Sequence, residues 1–178
     1  MARVTVTRMN EDLPLLGEPS AIELANTWYG EGAHDFLADP EVARRWATCV
    51  LGEGLEIDVA DLRALRGAVR RLIASQMSGS AFDPAATALV NAHAAHACAH
   101  LSLVIEGASA SSRVGYRGGA AARLATSCIE VLTGPDPIRR CEGPGCTMFF
   151  VQDHGRRRFC HDGCSHRARQ RRYSRSRR

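Results

Sequence analysis

Apolar residues recur along most of this chain at helical spacing, and polar or glycine-rich breaks divide them into successive segments. Pro19 to Trp28 reads as a short first helix with Ile22, Leu24 and Ala25 apolar, ended by Tyr29-Gly30-Glu31-Gly32. Asp39-Pro40-Glu41 predicts a helix start, because Asp accepts hydrogen bonds from free amides at the N-cap and Pro is tolerated at the next position. That helix turns Val42, Trp46 and Val50 inward and stops near Gly52. The longest pattern opens at Asp58 or Asp61. Its stripe is Leu62, Leu65, Val69, Leu72 and Ile73, its outward face carries Arg63, Arg66, Arg70 and Arg71, and Ser78-Gly79-Ser80 ends it.

Asp83-Pro84 repeats the capping logic and starts an alanine-rich helix expected to run to about His100, with Leu89 and Val90 as its bulkiest apolar residues. Leu101 to Glu106 and Arg113 to Arg117 alternate as strands do and can pair across the small residues 107–112. A further helix is expected from Gly119 to Leu132. Gly134-Pro135-Asp136-Pro137 then reads as a linker. The expected fold is mainly α: a multihelical domain over 1–134 with a short β-hairpin, and a small module over 135–178.

Charge sharpens that division. Residues 1–138 hold 11 Arg against 16 acidic residues, net −5, and residues 139–178 hold 12 Arg against 3 acidic residues, net +9, which together give the overall +4. All 23 basic residues are Arg. A mildly acidic body with a strongly basic end suggests a polyanion-binding tail on a domain with other duties. No stretch approaches the roughly 20 apolar residues of a membrane-spanning helix, and Met1 to Leu16 lacks a compact apolar signal core. A cytoplasmic protein with no membrane partner is expected. Its 7 cysteines are accordingly better read as metal ligands or free thiols than as a disulfide framework.

Four of them cluster. Cys141-Glu-Gly-Pro-Gly-Cys146 and Cys160-His-Asp-Gly-Cys164 stand thirteen residues apart, a spacing that suits one tetrahedral zinc ion held by four thiolates. Pro144-Gly145 lets the first loop turn tightly. Between the pairs, Met148 to Val151 reads as a strand, Asp153-His154-Gly155 as a turn and Arg156-Arg157-Arg158-Phe159 as a return strand. With Cys160 at a helix start, Cys164 falls one turn later on the same face. Four protein ligands leave no open coordination position, so the expected Zn2+ is structural and no catalysis is expected. Such a treble-clef-like module lacks a sizeable core of its own, and zinc binding is expected to supply most of its folding free energy.

Beyond Cys164 the chain continues without Gly or Pro through Tyr173 and carries Arg167 and Arg171 on one helix face, Arg169 and Arg172 on another. With Arg156, Arg157 and Arg158 these form a candidate nucleic-acid surface, since guanidinium groups grip phosphate in a fork. Duplex DNA is the expected partner, and a zinc-stabilised adaptor docking on an acidic protein is the alternative. Asn26, Trp28, Asp35 and Trp46, with Thr27, are candidates for a pocket that senses a small-molecule effector; the simpler alternative makes Trp46 core and has Asn26 and Asp35 cap or bridge segments. His93, His96 and His100 recur at i, i+3 and i+7, which makes a histidine metal site a third, weaker alternative. Cys49, Cys98 and Cys128 lie in helical patterns and read as buried thiols.

Several of these segments resemble a bacterial group, the CGNR zinc-finger proteins, stress-induced transcription regulators whose amino-terminal part is the ABATE domain. Gly17-Glu18-Pro19, Glu23-Leu24-Ala25-Asn26-Thr27, Asp35-Phe36-Leu37, Trp46 and the Leu/Arg helix from Leu62 to Ile73 resemble that domain, and Cys141 to Arg172 resembles its finger. Where the family carries C-G-N-R, this chain has Cys164-Ser165-His166-Arg167, which keeps the cysteine and the arginine but not the middle pair. The resemblance implies a DNA-binding regulator with zinc on Cys141, Cys146, Cys160 and Cys164, and an amino-terminal domain that responds to a ligand or partner.

Overall fold

A computed structural model describes residues 13, 15–30, 32–106 and 109–175. Among them the chain forms α1 (Ser20–Asn26), a two-residue pair β1 (Trp28–Tyr29) and β2 (His34–Asp35), α2 (Pro40–Leu51), α3 (Val59–Ser78) and α4 (Pro84–Ala94). A hairpin β3 (Cys98–Glu106) and β4 (Ser109–Arg117) follows, then α5 (Ala120–Thr133), β5 (Ile138–Arg140), β6 (Phe149–Val151) and α6 (Asp162–Arg175). None of these helices is long and apolar enough to cross a membrane.

The aspartates cap as their positions predict. Asp39 accepts from Glu41 N and Val42 N, Asp58 from Ala60 N and Asp61 N, and Asp83 from Ala85 N and Ala86 N, each satisfying two amides that the helix itself leaves free. Gly79, left-handed at φ 68°, closes α3. The stripe Leu62, Leu65, Val69, Leu72 and Ile73 is buried, and α3 packs on α1, α4 and α5. Trp46 is fully buried in the same core, while Val42 and Val50 are half-buried against it.

The polar face of α3 departs from expectation. Arg63 donates to Leu37 O and Ala38 O, Arg66 forms a two-point pair with Asp35, and Arg70 donates to Ala25 O and Trp28 O. These arginines therefore do not simply point into solvent; they tie α3 to the β1–β2 pair, and α1 stops at Asn26, short of the expected Trp28, which pairs in β1 ahead of Gly30 and Gly32. Carbonyls at a short helix's end lack intrahelical partners, and long guanidinium arms are suited to reach them.

Three other boundaries move. Helix α4 stops at Ala94 instead of His100, and residues 98–106 join β3, so the hairpin is longer than expected and its pairing runs on to Glu106 opposite Ser109, into the stretch 107–112 expected as a loop. Alanine's helix preference loses there to the alternating run from Cys98 to Ile105, which has a pairing partner in register, Leu101 opposite Val114. In the basic end, β6 pairs antiparallel with the upstream β5, Arg139 opposite Phe150, and residues 156–159 are not a strand. Among the isolated cysteines, Cys128 is buried, but Cys49 and Cys98 are exposed, Cys98 because it begins β3 rather than continuing a helix.

The basic end is not packed apart from the helices. Ile138 and Phe149 lie in the same apolar core as α1 and α3, whereas Phe150, Met148 and three of the clustered cysteines, Cys141, Cys160 and Cys164, form a second small core that Leu16 and Tyr29 help to cover.

Candidate metal centre and basic surface

Two short chain reversals bring the four sulfurs together. Cys141 follows β5 directly and donates its N–H to Met148 O, so the ladder of β5 and β6 is extended to the first cysteine. Cys146 N donates to Gly143 O, which closes the intervening loop, with Gly145 at φ 71°. Cys160 lies two residues ahead of α6 rather than inside it, and Cys164 sits in the first turn of that helix. The convergence expected from a helical Cys160 is thus reached from a loop.

The four Sγ atoms lie within 4.8 Å of one another. Cys146 and Cys160 approach to 3.7 Å and Cys160 and Cys164 to 3.6 Å. A zinc ion with sulfurs at ~2.3 Å in a tetrahedron spaces them roughly 3.8 Å apart, so the donor set has both the chemistry and the spacing of such a site. The cysteines fit one structural zinc. Gly143 is required by the same geometry: a Cβ there would come within 2.9 Å of Cys164 Cβ and 3.0 Å of its Sγ. Sequence reasoning singled out Pro144-Gly145 and missed Gly143, whose cost appears only when the loop closes over the sulfurs.

Electrostatics favour a cation here. Hydrogen bonds from Cys146 and Cys160 hold the Cys141 thiol far below its usual range, while the Cys160 thiol, bonded in return to Cys141 and Cys146, is pushed up. Burial pushes Cys164 up to about 12. Four thiols this close oppose one another's ionisation, and a divalent ion lets all four ionise. Backbone amides assist: Gly143 N and Cys160 N donate to Cys141 Sγ at 3.4 and 3.3 Å. Arg167 Nη2 lies 2.9 Å from Cys164 Sγ. Bonds of this kind orient ligands and moderate their charge. The zinc's contribution is folding free energy, about 10 kcal/mol or more in comparable small modules.

The arginines divide into two groups. Arg157 is turned inward: it pairs with the buried Glu18, donates to Val151 O and Cys160 O, and lies 4.8 Å over the Phe150 ring. Arg156, Arg158, Arg167, Arg169, Arg171 and Arg172 are exposed. Arg158, Arg171 and Arg172 line one open cleft of about 250 Å³, together with Glu142, Pro144 and Phe159. Arg158 passes Glu142 at 3.9 Å, and among the described residues Arg169, Arg171 and Arg172 form no ion pair.

The candidate effector pocket is not assembled. Asn26 is buried and spends its amide on one peptide, Nδ2 donating to Phe149 O at 3.0 Å and Oδ1 accepting from Phe149 N at 2.8 Å. Thr27 is buried and bonds Leu24 O, Asp35 is held below the usual carboxylate range by the Arg66 guanidinium, and Trp46 is core. Trp28 is half-exposed beneath Arg70, which lies 4.9 Å over its ring and 5.3 Å over that of Phe149. Asn26 joins α1 to the metal module and Asp35 joins β2 to α3, as the bridging alternative has them. The histidine row is also broken, because His93 is in the last turn of α4, His96 lies beyond its end, and position 100 is in β3, where the His100 side chain is outside the described residues.

Two family models match successive parts of the chain. Residues 18–135 match ABATE, described as "Putative stress-induced transcription regulator", and residues 138–178 match the CGNR zinc finger. No curated protein matches the chain.

Proposed function

The chain belongs to the ABATE family and ends in a CGNR zinc finger, and from that premise we propose that it regulates transcription by laying the basic surface of its finger on duplex DNA. The observation that carries this reading is the cleft beside α6, where Arg158, Arg171 and Arg172 converge with one acid, Glu142, facing them. Three cations on a rigid, metal-stapled frame repel one another until phosphates neutralise them. Arg156 and Arg169 extend that surface, and Arg167 stands behind it on the Cys164 sulfur. Arg157 belongs to the frame instead. The two parts, 1–134 and 135–178, divide the work: the finger binds, and the helical domain answers a small effector or a protein partner in the cytoplasm.

The test is fluorescence anisotropy of the zinc-loaded protein on mixed-sequence duplex DNA across a salt series. Arg171→Ala with Arg172→Ala weakens binding, and the slope of log affinity against log salt falls by about two if each arginine meets one phosphate. An unchanged slope removes these residues from the interface. Absence of binding at low salt overturns the nucleic-acid reading and leaves the finger as a dock for an acidic protein.

A further inference from the structure

The four sulfurs of the metal centre are not equally guarded. Cys141 Sγ accepts the N–H groups of Gly143 and Cys160, and Cys164 Sγ accepts Arg167 Nη2 and lies 3.8 Å from His161 Nε2. Among the described residues no N–H or guanidinium reaches Cys146 or Cys160, whose sulfurs meet only other sulfurs. A hydrogen bond to a metal-bound thiolate draws off part of its charge, so the most nucleophilic sulfurs are the two without one.

Access separates these two. Cys160 is buried, like Cys141 and Cys164, whereas Cys146 is half-buried and lines an open cleft of about 400 Å³. Gly30 and Gly145 share that lining and leave room for a small reagent beside Cys146. None of its lining residues belongs to the arginine cleft beside α6.

We propose that Cys146 is the site at which a hydroperoxide oxidises this centre, and that Cys160 completes the reaction as its disulfide partner. The Cys146 thiolate attacks the hydroxyl oxygen of the peroxide. An S–O bond forms, the O–O bond breaks, and the departing hydroxide or alkoxide takes a proton from solvent, leaving a sulfenic acid. The Cys160 thiolate then attacks Cys146 Sγ; the S–S bond forms, the S–O bond breaks, and hydroxide leaves to become water. Two thiolates have lost two electrons and the peroxide has gained them. The geometry suits this partner: the sulfurs are 3.7 Å apart, against about 2 Å in a disulfide, and Cys160 lies ahead of α6, free of helical constraint. Cys164 is as near to Cys160, at 3.6 Å, but it is buried in the first turn of that helix and holds Arg167. A disulfide leaves two thiolates, too few to hold zinc, so oxidation begun at one sulfur withdraws the free energy that folds the module. This inference rests on the metal centre and stands apart from the nucleic-acid reading.

The test uses the full, zinc-loaded chain with Cys49→Ser and Cys98→Ser, which removes the exposed thiols outside the centre. Hydrogen peroxide is added below one equivalent, released zinc is read with a metallochromic dye, and cysteines are alkylated and mapped by mass spectrometry. Zinc should appear in step with peroxide consumed, Cys146–Cys160 should be the first disulfide, and a thiol reductant with added zinc should restore the metal. Cys146→His, which puts a different zinc ligand in place of the sulfur, should slow zinc release by roughly tenfold or more. If that variant does not hold zinc, the disulfide map of its parent decides. A first disulfide between any other pair overturns the proposal, as does oxidation of Cys141 and Cys164 as fast as Cys146. So does a Cys146→His chain that releases zinc at the parent's rate, or a wild-type chain that keeps its zinc in peroxide strong enough to oxidise Cys49 and Cys98.

Discussion

Glu23 is 4% exposed, and its Oε1 accepts both Leu16 N and Glu18 N, while Oε2 has no partner among the described residues. Burial raises its carboxyl from 4.5 to about 7, against the lowering effect of those amides. The folded state therefore keeps a proton that the unfolded chain releases between those values. Its stabilisation is complete below the unfolded value and is lost as pH rises through 7, on the order of 3 kcal/mol over the whole interval. Glu23→Gln should flatten this dependence: thermal melts at pH 5 and pH 8 should show the variant gaining on the wild type at the higher pH, and parallel curves would contradict the assignment. Asn26 makes a different prediction. Asn26→Ala strands a buried N–H and a buried C=O on Phe149, and urea denaturation should show a loss of about 3 kcal/mol. A loss below about 1 kcal/mol would mean that the pair contributes little. A bridging role for Asn26 was open in the sequence as one alternative, but its partner was not legible, because Phe149 lies 123 residues away and nothing local marks it.

At the scale of elements, the legible features were those that a few consecutive residues determine. Asp39, Asp58 and Asp83 each announce a helix by offering an acceptor to the first free amides, and the apolar stripe of α3 follows from its period. Asp58→Ala should accordingly cost about 1 kcal/mol in chemical denaturation, with no change in zinc content. The four cysteines were legible for a related reason: short chelating loops bring ligands together almost regardless of the rest. Illegible were the pairings that compete over distance. Met148 to Val151 has two extended neighbours in sequence, and the upstream Ile138 to Arg140 wins because burying Ile138 and Phe149 in the helical core fixes both strands side by side. Likewise α4 stops early because Cys98 to Glu106 is better satisfied by a cross-strand partner than by continued helix. The arginines of α3 looked solvated because an exposed helix face is the usual destination for them, and their carbonyl partners belong to other segments.

Across the whole molecule, the metal module and the helices share a core, so metal loss should be felt in both. Trp46 is fully buried in the helical core and its fluorescence reports on that part, whereas Trp28 lies at the joint beneath Arg70, which also covers Phe149. Chelation, or Cys160→Ser, should move the tryptophan-detected urea midpoint to lower concentration along with the loss of zinc. A midpoint that stays fixed would show that the finger unfolds by itself, as a module without a core of its own would. The joint between the parts has one more consequence. Cys141 N meets Met148 O and Gln152 N meets Pro137 O, so alternation along β6 turns the peptide groups of Phe149 and Val151 to the opposite side, where Asn26 takes both groups of Phe149 and Glu18 takes Val151 N. Side chains from the helical part thereby occupy the rim that a two-stranded ribbon would otherwise offer to any passing extended segment. Losing Asn26 would loosen the joint and also expose a template for strand addition, so the same amide that aligns the finger guards the chain against polymerising on itself.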